Sequence, residues 1–340
     1  MTGVQTCALP ICGRELLEQD WQTWGLSSSS DGRRLATAPL PDQVRIWDTQ
    51  SGQLLARLRR PNQVAFSVSL HPNGRKVAAV DAFGDLLIWE VETGQLLHKL
   101  HAHEFVASDV CYSPDGRLIA SAGFDGAIRI WDADTLAPLQ AFKRDERYEI
   151  SIEFSPDSRL LAVNDGNLAR IWNAQTGQCE REFAGHTSEV QAVRFSPDGT
   201  RLATTSGDGT LRLWDARSGR NLSVWKLRGT WCMGVSFSPD GQRIALRVNQ
   251  GRSIWSDAPT FEIWDVKTGR QLLVYRGLGE LGWFVRFYPD GRRLATDWWG
   301  TKLRQWETFP WADSEYAGSP NMNLRQRMRQ YADRYWQERL

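Results

Sequence analysis

The chain has 340 residues, 41% of them apolar, and a formal net charge of +1 at pH 7. This balance creates no overall field that would attract a nucleic acid or an anionic membrane, and we expect neither as a partner. No run of about 18 apolar residues, the length that spans a bilayer, is present. The five cysteines form no CxxC pair, so their spacing predicts neither a zinc site nor a disulfide framework.

Residues 1–12 stand apart from the rest of the chain. The string TGVQTCALPI at residues 2–11 resembles a translated sequencing adapter, so we expect residues 1–12 to be an artefact or disordered and exclude them from fold reasoning. A genuine disordered leader is the alternative. On the first interpretation the native N-terminus is missing and an upstream domain can precede residue 13. The compartment then stays open, with the cytoplasm favoured.

The stretch 185–219 shows the local pattern on which the chain is built. An apolar run over 190–195 stops at a Ser-Pro-Asp-Gly turn, where proline presets φ and glycine accepts a positive φ. A second strand leads to an Asp-Gly hairpin turn, and residues 211–215 then alternate apolar and polar. A fourth strand begins at Asn221. A lone four-stranded sheet this short cannot bury both faces, so it needs neighbours.

The same pattern recurs along the chain. The tryptophans that mark it are spaced by 42, 42, 41, 42, 50 and 42 residues, and they are Trp47, Trp89, Trp131, Trp172, Trp214, Trp264 and Trp306. A period near forty residues with four strands per unit is typical of a β-propeller. Four of these tryptophans precede Asp, and the others precede Glu or Asn. Residues 13–307 therefore resemble the WD40-repeat family, which implies an all-β, seven-bladed propeller.

The seventh repeat lacks a fourth strand of its own. Residues 13–19 resemble the outer strands of other repeats, since Gly13-Arg-Glu-Leu-Leu is similar to Gly269-Arg-Gln-Leu-Leu. We expect this segment to complete blade seven and close the ring, as the family resemblance implies, which removes an open sheet edge. The alternative is that residues 13–19 belong to a lost upstream repeat.

Residues 308–340 change character after the last repeat. We expect a linker followed by an amphipathic helix whose apolar stripe comprises Leu324, Met328, Tyr331 and Tyr335. Such a stripe is expected to pack on the propeller or a neighbouring domain. The arginines of this segment leave binding to a partner or a membrane as the alternative.

Two sets of polar residues match the family pattern, with the same 28-residue spacing from histidine to tryptophan. The resemblance implies that each set forms a structural hydrogen-bonded tetrad within one blade. They are His186, Thr204, Asp208 and Trp214, with Ser206 as an alternative to Thr204, and His103, Ser121, Asp125 and Trp131. We expect the other blades to rely on apolar packing. A hydrolase triad is the competing interpretation, but no G-x-S-x-G elbow supports it.

The resemblance and the lack of a catalytic pattern favour a non-catalytic scaffold for protein–protein interaction, in a larger, N-terminally truncated signalling or regulatory protein. We predict no catalytic, cofactor-binding or metal-binding residue. The first alternative is an enzyme or cofactor-binding propeller with its site at the channel mouth, where strand alternation places Asp109, Glu153, Arg194 and Arg286. The second alternative is a purely structural segment.

Tryptophans that are not repeat anchors cluster in repeats six, seven and one. In the fold that the resemblance implies, several of them share the top face of one sector, and aromatic and arginine side chains are typical of interface hot spots. We predict that a protein partner binds there through Trp255, Trp298, Trp299 and Arg252. Inter-blade packing of Trp24 and Trp283, or coverage by the C-terminal helix, is the alternative.

Overall fold

The computed structural model describes residues 13–18, 23–39, 43–59, 64–144, 151–229, 231–249, 260–276, 281–298 and 302–307. Within these ranges the chain forms seven antiparallel sheets of four strands each. The inner strands of successive sheets contact one another in order, and the seventh contacts the first. The predicted all-β, seven-bladed propeller is therefore confirmed.

Each of blades one to six takes four consecutive strands, labelled from the inner to the outer edge. Blades one to three contain β2 (Thr23–Ser28), β3 (Arg34–Pro39), β4 (Gln43–Asp48), β5 (Leu54–Arg59), β6 (Ala65–Leu70), β7 (Lys76–Asp81), β8 (Asp85–Glu90), β9 (Leu96–His101), β10 (Ala107–Tyr112), β11 (Leu118–Gly123), β12 (Ala127–Asp132) and β13 (Pro138–Lys143). Blades four to six contain β14 (Ile152–Phe154), β15 (Leu160–Asp165), β16 (Leu168–Asn173), β17 (Cys179–Phe183), β18 (Val190–Phe195), β19 (Arg201–Ser206), β20 (Thr210–Asp215), β21 (Asn221–Lys226), β22 (Trp231–Phe237), β23 (Arg243–Asn249), β24 (Thr260–Asp265) and β25 (Gln271–Arg276).

Blade seven is built from both ends of the described chain. Its inner three strands are β26 (Leu281–Phe287), β27 (Arg293–Trp298) and β28 (Lys302–Glu307), and its outer strand is β1 (Gly13–Glu18). β1 runs antiparallel to β28. The predicted closure is therefore observed, and the alternative of a lost upstream repeat is not needed to explain this segment.

The hydrophobic core lies between the blades. Each repeat tryptophan packs against the preceding blade: Trp89 joins the cluster that contains Ile46 and Leu58 of blade one, and Trp47 joins the one that contains Tyr288 of blade seven. Trp47 is 2% exposed. Because the indoles bridge neighbouring sheets, no blade buries its faces without the next one, as the shortness of the sheets predicts.

In five blades the Asp or Asn after the tryptophan accepts hydrogen bonds from the turn to the outer strand. The Asp48 carboxylate accepts hydrogen bonds from the backbone N–H groups of Gln50 and Ser51, at 3.0 and 2.7 Å. In blade four Asn173 does the same through its amide oxygen. The Trp-Asp pair thus combines one apolar anchor between blades with one acceptor that satisfies turn donors.

The segments before residue 13 and after residue 307 lie outside the described residues, and so does the predicted C-terminal helix. In the described part of the chain, no helix has the length and apolar character needed to cross a membrane.

Candidate functional site

The blade-five tetrad is a continuous chain of hydrogen bonds. Trp214 Nε1 donates to Thr204 Oγ1 at 2.8 Å, and Thr204 Oγ1 lies 2.8 Å from His186 Nε2. The other ring nitrogen of His186 lies 2.8 Å from Asp208 Oδ2. The histidine side chain is 0% exposed and that of the aspartate 7%. The structure therefore brings these four predicted residues together in the interior of one blade.

The electrostatics of this set select one arrangement of protons. Burial lowers the pKa of His186, which favours the neutral ring. Burial by itself would raise the pKa of Asp208, but hydrogen bonds from Thr210 and His186 outweigh it, and the pKa is lowered. An ionised Asp208 needs a donor, so His186 carries its proton on Nδ1. Its Nε2 then accepts from the Thr204 hydroxyl.

The blade-three tetrad has the same sequence of contacts, and Arg129 is added to it with Nη1 2.8 Å from His103 Nδ1. His103 lies 3.0 Å from Asp125 Oδ1 and 2.9 Å from Ser121 Oγ, and Trp131 Nε1 donates to Ser121 Oγ at 2.9 Å. Arg129 Nη1 also donates to Asp125 Oδ2 at 2.8 Å. Burial opposes ionisation of Asp125, but hydrogen bonds from the Ala127 N–H, His103 and Arg129 lower its pKa to about 2.

These hydroxyls are not placed as hydrolase nucleophiles. Ser121 and Thr204 are 0% exposed, and each already accepts a hydrogen bond from an indole. Ser206, the alternative to Thr204, donates instead to the Ser188 carbonyl at 2.9 Å and accepts from the Asp208 N–H. The burial and the hydrogen bonds of these hydroxyls favour a structural role over a catalytic one, because a substrate atom cannot reach a buried hydroxyl.

In three further blades the buried indole N–H of the repeat tryptophan donates a hydrogen bond. This differs from the expectation that these blades rely on apolar packing. Trp47 donates to Thr37 Oγ1 at 3.0 Å, and Trp306 donates to Thr296 Oγ1 at 2.7 Å. The signal was present in the sequence, since these threonines lie ten residues before the tryptophan, as Thr204 does. A buried N–H is costly without an acceptor, so the hydroxyl is kept where the histidine and aspartate are lost.

Blade six solves the same problem with a carboxylate. Trp264 Nε1 donates to Glu262 Oε2 at 2.9 Å, and Glu262 is 0% exposed. Leu246 occupies the threonine position in this blade, so the acceptor comes from two residues before the tryptophan on the same strand. Sequence reasoning missed this residue because a glutamate in an alternating strand reads as solvent-facing.

A cavity of about 520 Å³ runs along the axis and is lined by the inner strands. Its wall contains all four charged residues expected there, namely Asp109, Glu153, Arg194 and Arg286. Asp109 Oδ2 accepts from the Ile152 N–H of the next blade at 3.0 Å, and Glu153 Oε2 accepts from the Phe195 N–H at 2.5 Å. Burial raises the pKa of both carboxyl groups.

Small channel residues make the same link between blades. Ser27 Oγ accepts from the Leu70 N–H at 2.9 Å, and Ser69 Oγ accepts from the Tyr112 N–H at 3.0 Å. Ser236 Oγ accepts from the inner strand of blade seven at 3.0 Å. The channel acceptors thus join neighbouring inner strands, which share no backbone ladder. This role accounts for both channel carboxylates.

Most of the predicted partner surface falls outside the described residues. Trp255, Trp299 and Arg252 lie there, so their contacts are untested. Trp298 ends β27, where its backbone pairs with Leu281 and Lys302. In the described residues, no group of three or more His, Cys, Asp or Glu side chains is arranged to hold a metal ion.

Comparison with known proteins agrees with this architecture. The family model described as "WD domain, G-beta repeat" matches residues 94–132 and 177–215. The chain is 47% identical over 45 residues to a guanine nucleotide-binding protein subunit beta of Nicotiana tabacum, which covers 13% of this chain and 12% of that protein.

Two other relatives match short segments as well. Identity is 49% over 43 residues with the nuclear distribution protein PAC1 of Arthroderma benhamiae, covering 13% of this chain and 9% of that protein. It is 35% over 48 residues with WD repeat-containing protein 55 of Arabidopsis thaliana, covering 14% of each. The matches thus span about one repeat and well under a fifth of each relative. Because the remaining repeats fold into blades of the same design, the chain forms a seven-bladed β-propeller of WD40 type, with two repeats that match the family model directly.

Proposed function

We propose that this propeller is a non-catalytic scaffold that binds another protein. The observation that carries the proposal is the engagement of its buried polar groups. The tetrad side chains bind one another, and the channel carboxylates bind backbone N–H groups of the next blade. The turns and loops that the blades hold in place form a rigid surface, and this surface is accessible to other molecules.

The named relatives support the same direction. One is a guanine nucleotide-binding protein subunit beta and another is a nuclear distribution protein, so the repeat occurs in proteins named for roles other than a reaction. The further proposal that the propeller is part of a larger signalling or regulatory protein is supported by this resemblance alone. The near-neutral charge supports the further proposal that neither nucleic acid nor a membrane is the main partner.

We place one partner surface on the top face of blades six, seven and one, through Trp255, Trp298, Trp299 and Arg252. The test is affinity capture from an extract of the source organism with the full chain as bait, followed by the variant with all four residues replaced by Ala. We expect the variant to lose the captured protein while its Tm stays within about 2 °C, because substitutions away from the core change stability little.

The matched control replaces four exposed outer-strand residues by Ala, namely Leu55, Leu96, Leu139 and Leu222. It should retain the captured protein. Retention by the tryptophan variant would place the partner elsewhere on the ring, and unfolding of that variant would show that these residues are core rather than surface. Absence of any captured protein in all samples would count against the scaffold function itself.

A site in the channel is the second candidate function, and one observation favours it. Arg194 and Arg286 both line the cavity. Among the described residues, Arg286 donates one hydrogen bond, from Nη1 to the Leu26 carbonyl at 3.0 Å. Burial lowers the pKa of Arg286, and the nearby Arg194 lowers it further. Binding of a small anion that is lost on Arg286→Gln would support this function over the scaffold.

A further inference from the structure

Three exposed phenylalanines form a cluster on one face of blades two and three. In the residues that the structure describes, eight large apolar side chains are exposed, and five of them are aliphatic residues of the outer strands. The other three are Phe83, Phe105 and Phe124, at 56%, 57% and 36% exposed. All the aromatic members of this group therefore occur at one place, which we call the phenylalanine patch.

The loops that carry these rings are in direct contact. Phe124 N–H donates to the Val106 carbonyl at 2.9 Å, which joins the β11–β12 loop to the β9–β10 connection. A methyl group on Gly84 would lie 2.6 Å from the Phe105 carbonyl oxygen, so the β7–β8 loop touches the same connection. In antiparallel blades the second strand ends where the next blade begins, so all three loops lie on one face of the ring.

The exposure of Phe83 has a local cause. In blades three and five the corresponding position is the tetrad aspartate, Asp125 or Asp208, whose carboxylate turns inward. In blade two, Asp81 takes over the turn and accepts hydrogen bonds from the N–H groups of Phe83 and Asp85, both at 2.9 Å. The ring at position 83 is then not needed inside and points away from the blade.

The charges beside the patch favour a cationic partner. Asp85 is paired with Lys99 at 2.8 Å, and Asp125 is paired with Arg129 at 2.8 Å. Glu104, which is exposed and lies between His103 and Phe105, has no ion pair among the described residues. Within the described part of the chain, this carboxylate beside Phe105 thus has no ion-pair partner, and the faces of the aromatic rings also attract cations.

We propose that the phenylalanine patch binds a peptide segment of a partner protein that presents a lysine or arginine beside an apolar side chain. The apolar side chain packs on the exposed rings, and the cation lies against a ring face and the Glu104 carboxylate. An exposed cluster of aromatic residues in one place is typical of an interface. This inference rests on the proposed scaffold function and names the chemistry of one of its partners.

The experiment uses a phage-displayed library of short random peptides selected on the immobilised full chain. Peptides are counter-selected on the variant with Phe83, Phe105 and Phe124 all replaced by Ser, and those enriched on the native chain are synthesised with a fluorescent label. We expect them to contain Lys or Arg next to an apolar residue. Anisotropy titrations should show binding at least about tenfold weaker to the triple variant and to Glu104→Lys.

The matched control removes a similar set of exposed apolar side chains elsewhere, with Leu55, Leu139 and Leu222 replaced by Ser. It should bind the peptides like the native chain. If the triple phenylalanine variant unfolds, Phe105→Ser alone must weaken binding by at least about tenfold, because a single exposed loop residue leaves the blades intact.

Two results would overturn the proposal. One is enrichment of peptides that lack a basic residue or that bind the phenylalanine variants as well as the native chain. The other is no enrichment of any peptide on the native chain over the triple variant. Either result leaves the scaffold function standing if affinity capture still recovers a partner through another face, so the two failures are distinguishable.

Discussion

Gly13 pairs directly with Trp306 across the outer edge of blade seven. In the other six blades the ladder between the third and outer strands shifts register at the tryptophan, for example between Ile46 and Trp47. There the two strands are joined by a tight turn that follows the tryptophan. In blade seven no such turn connects them, and the irregularity lies instead between Glu15 and Leu17. The closing strand thus copies the position of an outer strand but not its register.

Removal of the closing strand should open the ring. We expect a chain that lacks residues 1–18 to have a Tm several degrees lower, because β28 loses its partner and each lost backbone hydrogen bond costs about 0.5–1.5 kcal/mol. The control is a chain that lacks residues 1–12 only, which should melt like the full chain. Equal Tm values for all three chains, measured by circular dichroism, would show that the pairing of Gly13 with Trp306 adds nothing to stability.

Asp208 should matter more than Asp198. Replacing Asp208 by Ala leaves the buried His186 Nδ1–H and the Thr187 N–H without their acceptor, at a cost of about 1–3 kcal/mol. Asp198 also accepts hydrogen bonds, from Ser196 and Thr200, but in an exposed turn where water can replace it. Urea unfolding of both variants measures the difference. Equal losses in the free energy of unfolding would contradict a structural tetrad in blade five.

The tetrads should make stability fall in acid. Burial lowers the pKa of His103 and His186 below 6.5, so the unfolded chain binds more protons than the folded one as the pH drops below 6.5. Their contribution is complete above pH 6.5 and is lost below it. Asp125 adds a second loss between about pH 3.8 and 2, since its folded pKa is about 2.

The double variant with both histidines replaced by Gln tests the first of these two losses. Its free energy of unfolding should be lower at pH 7.5 but should change less between pH 7.5 and 5.5 than that of the native chain. His98→Gln, on an exposed outer-strand position, is the control and should keep the native pH dependence. A steeper dependence in the double variant would show that the imidazoles are protonated in the folded protein.

Gly84 and Gly209 occupy equivalent turns but should differ in their tolerance of alanine. Both have positive φ, +81° and +76°, so alanine costs about 1–2 kcal/mol in strain at either site. A Cβ on Gly84 would also lie 2.0 Å from the His103 carbonyl oxygen, whereas on Gly209 the nearest atom is 3.4 Å away. We expect Gly84→Ala to cost about 4 kcal/mol or more. Chemical denaturation of the pair isolates the close approach, and similar losses would exclude it.

Much of this fold follows from patterns that recur within about forty residues, so it could be predicted from the sequence. Seven tryptophans in register and turns closed by glycine predict seven blades, because strand alternation and turn geometry are local properties. The tetrad residues could be assigned for the same reason, since His186, Thr204 and Trp214 belong to one sheet. The threonine ten residues before Trp47 carried the same signal and was overlooked.

What only the tertiary structure decided depends on neighbours that the ring brings together. The register of Gly13 against Trp306 is such a case, because no turn links those strands. The use of Glu262 as an indole acceptor depends on strand pairing, because Leu246 lies opposite Glu262 where blade five has Thr204 and offers no hydroxyl. Phe83, Phe105 and Phe124 each read as an ordinary loop residue. They form one patch only because packing the blades side by side sets loops from two repeats in contact, and such long-range contacts have no periodic signature in the chain.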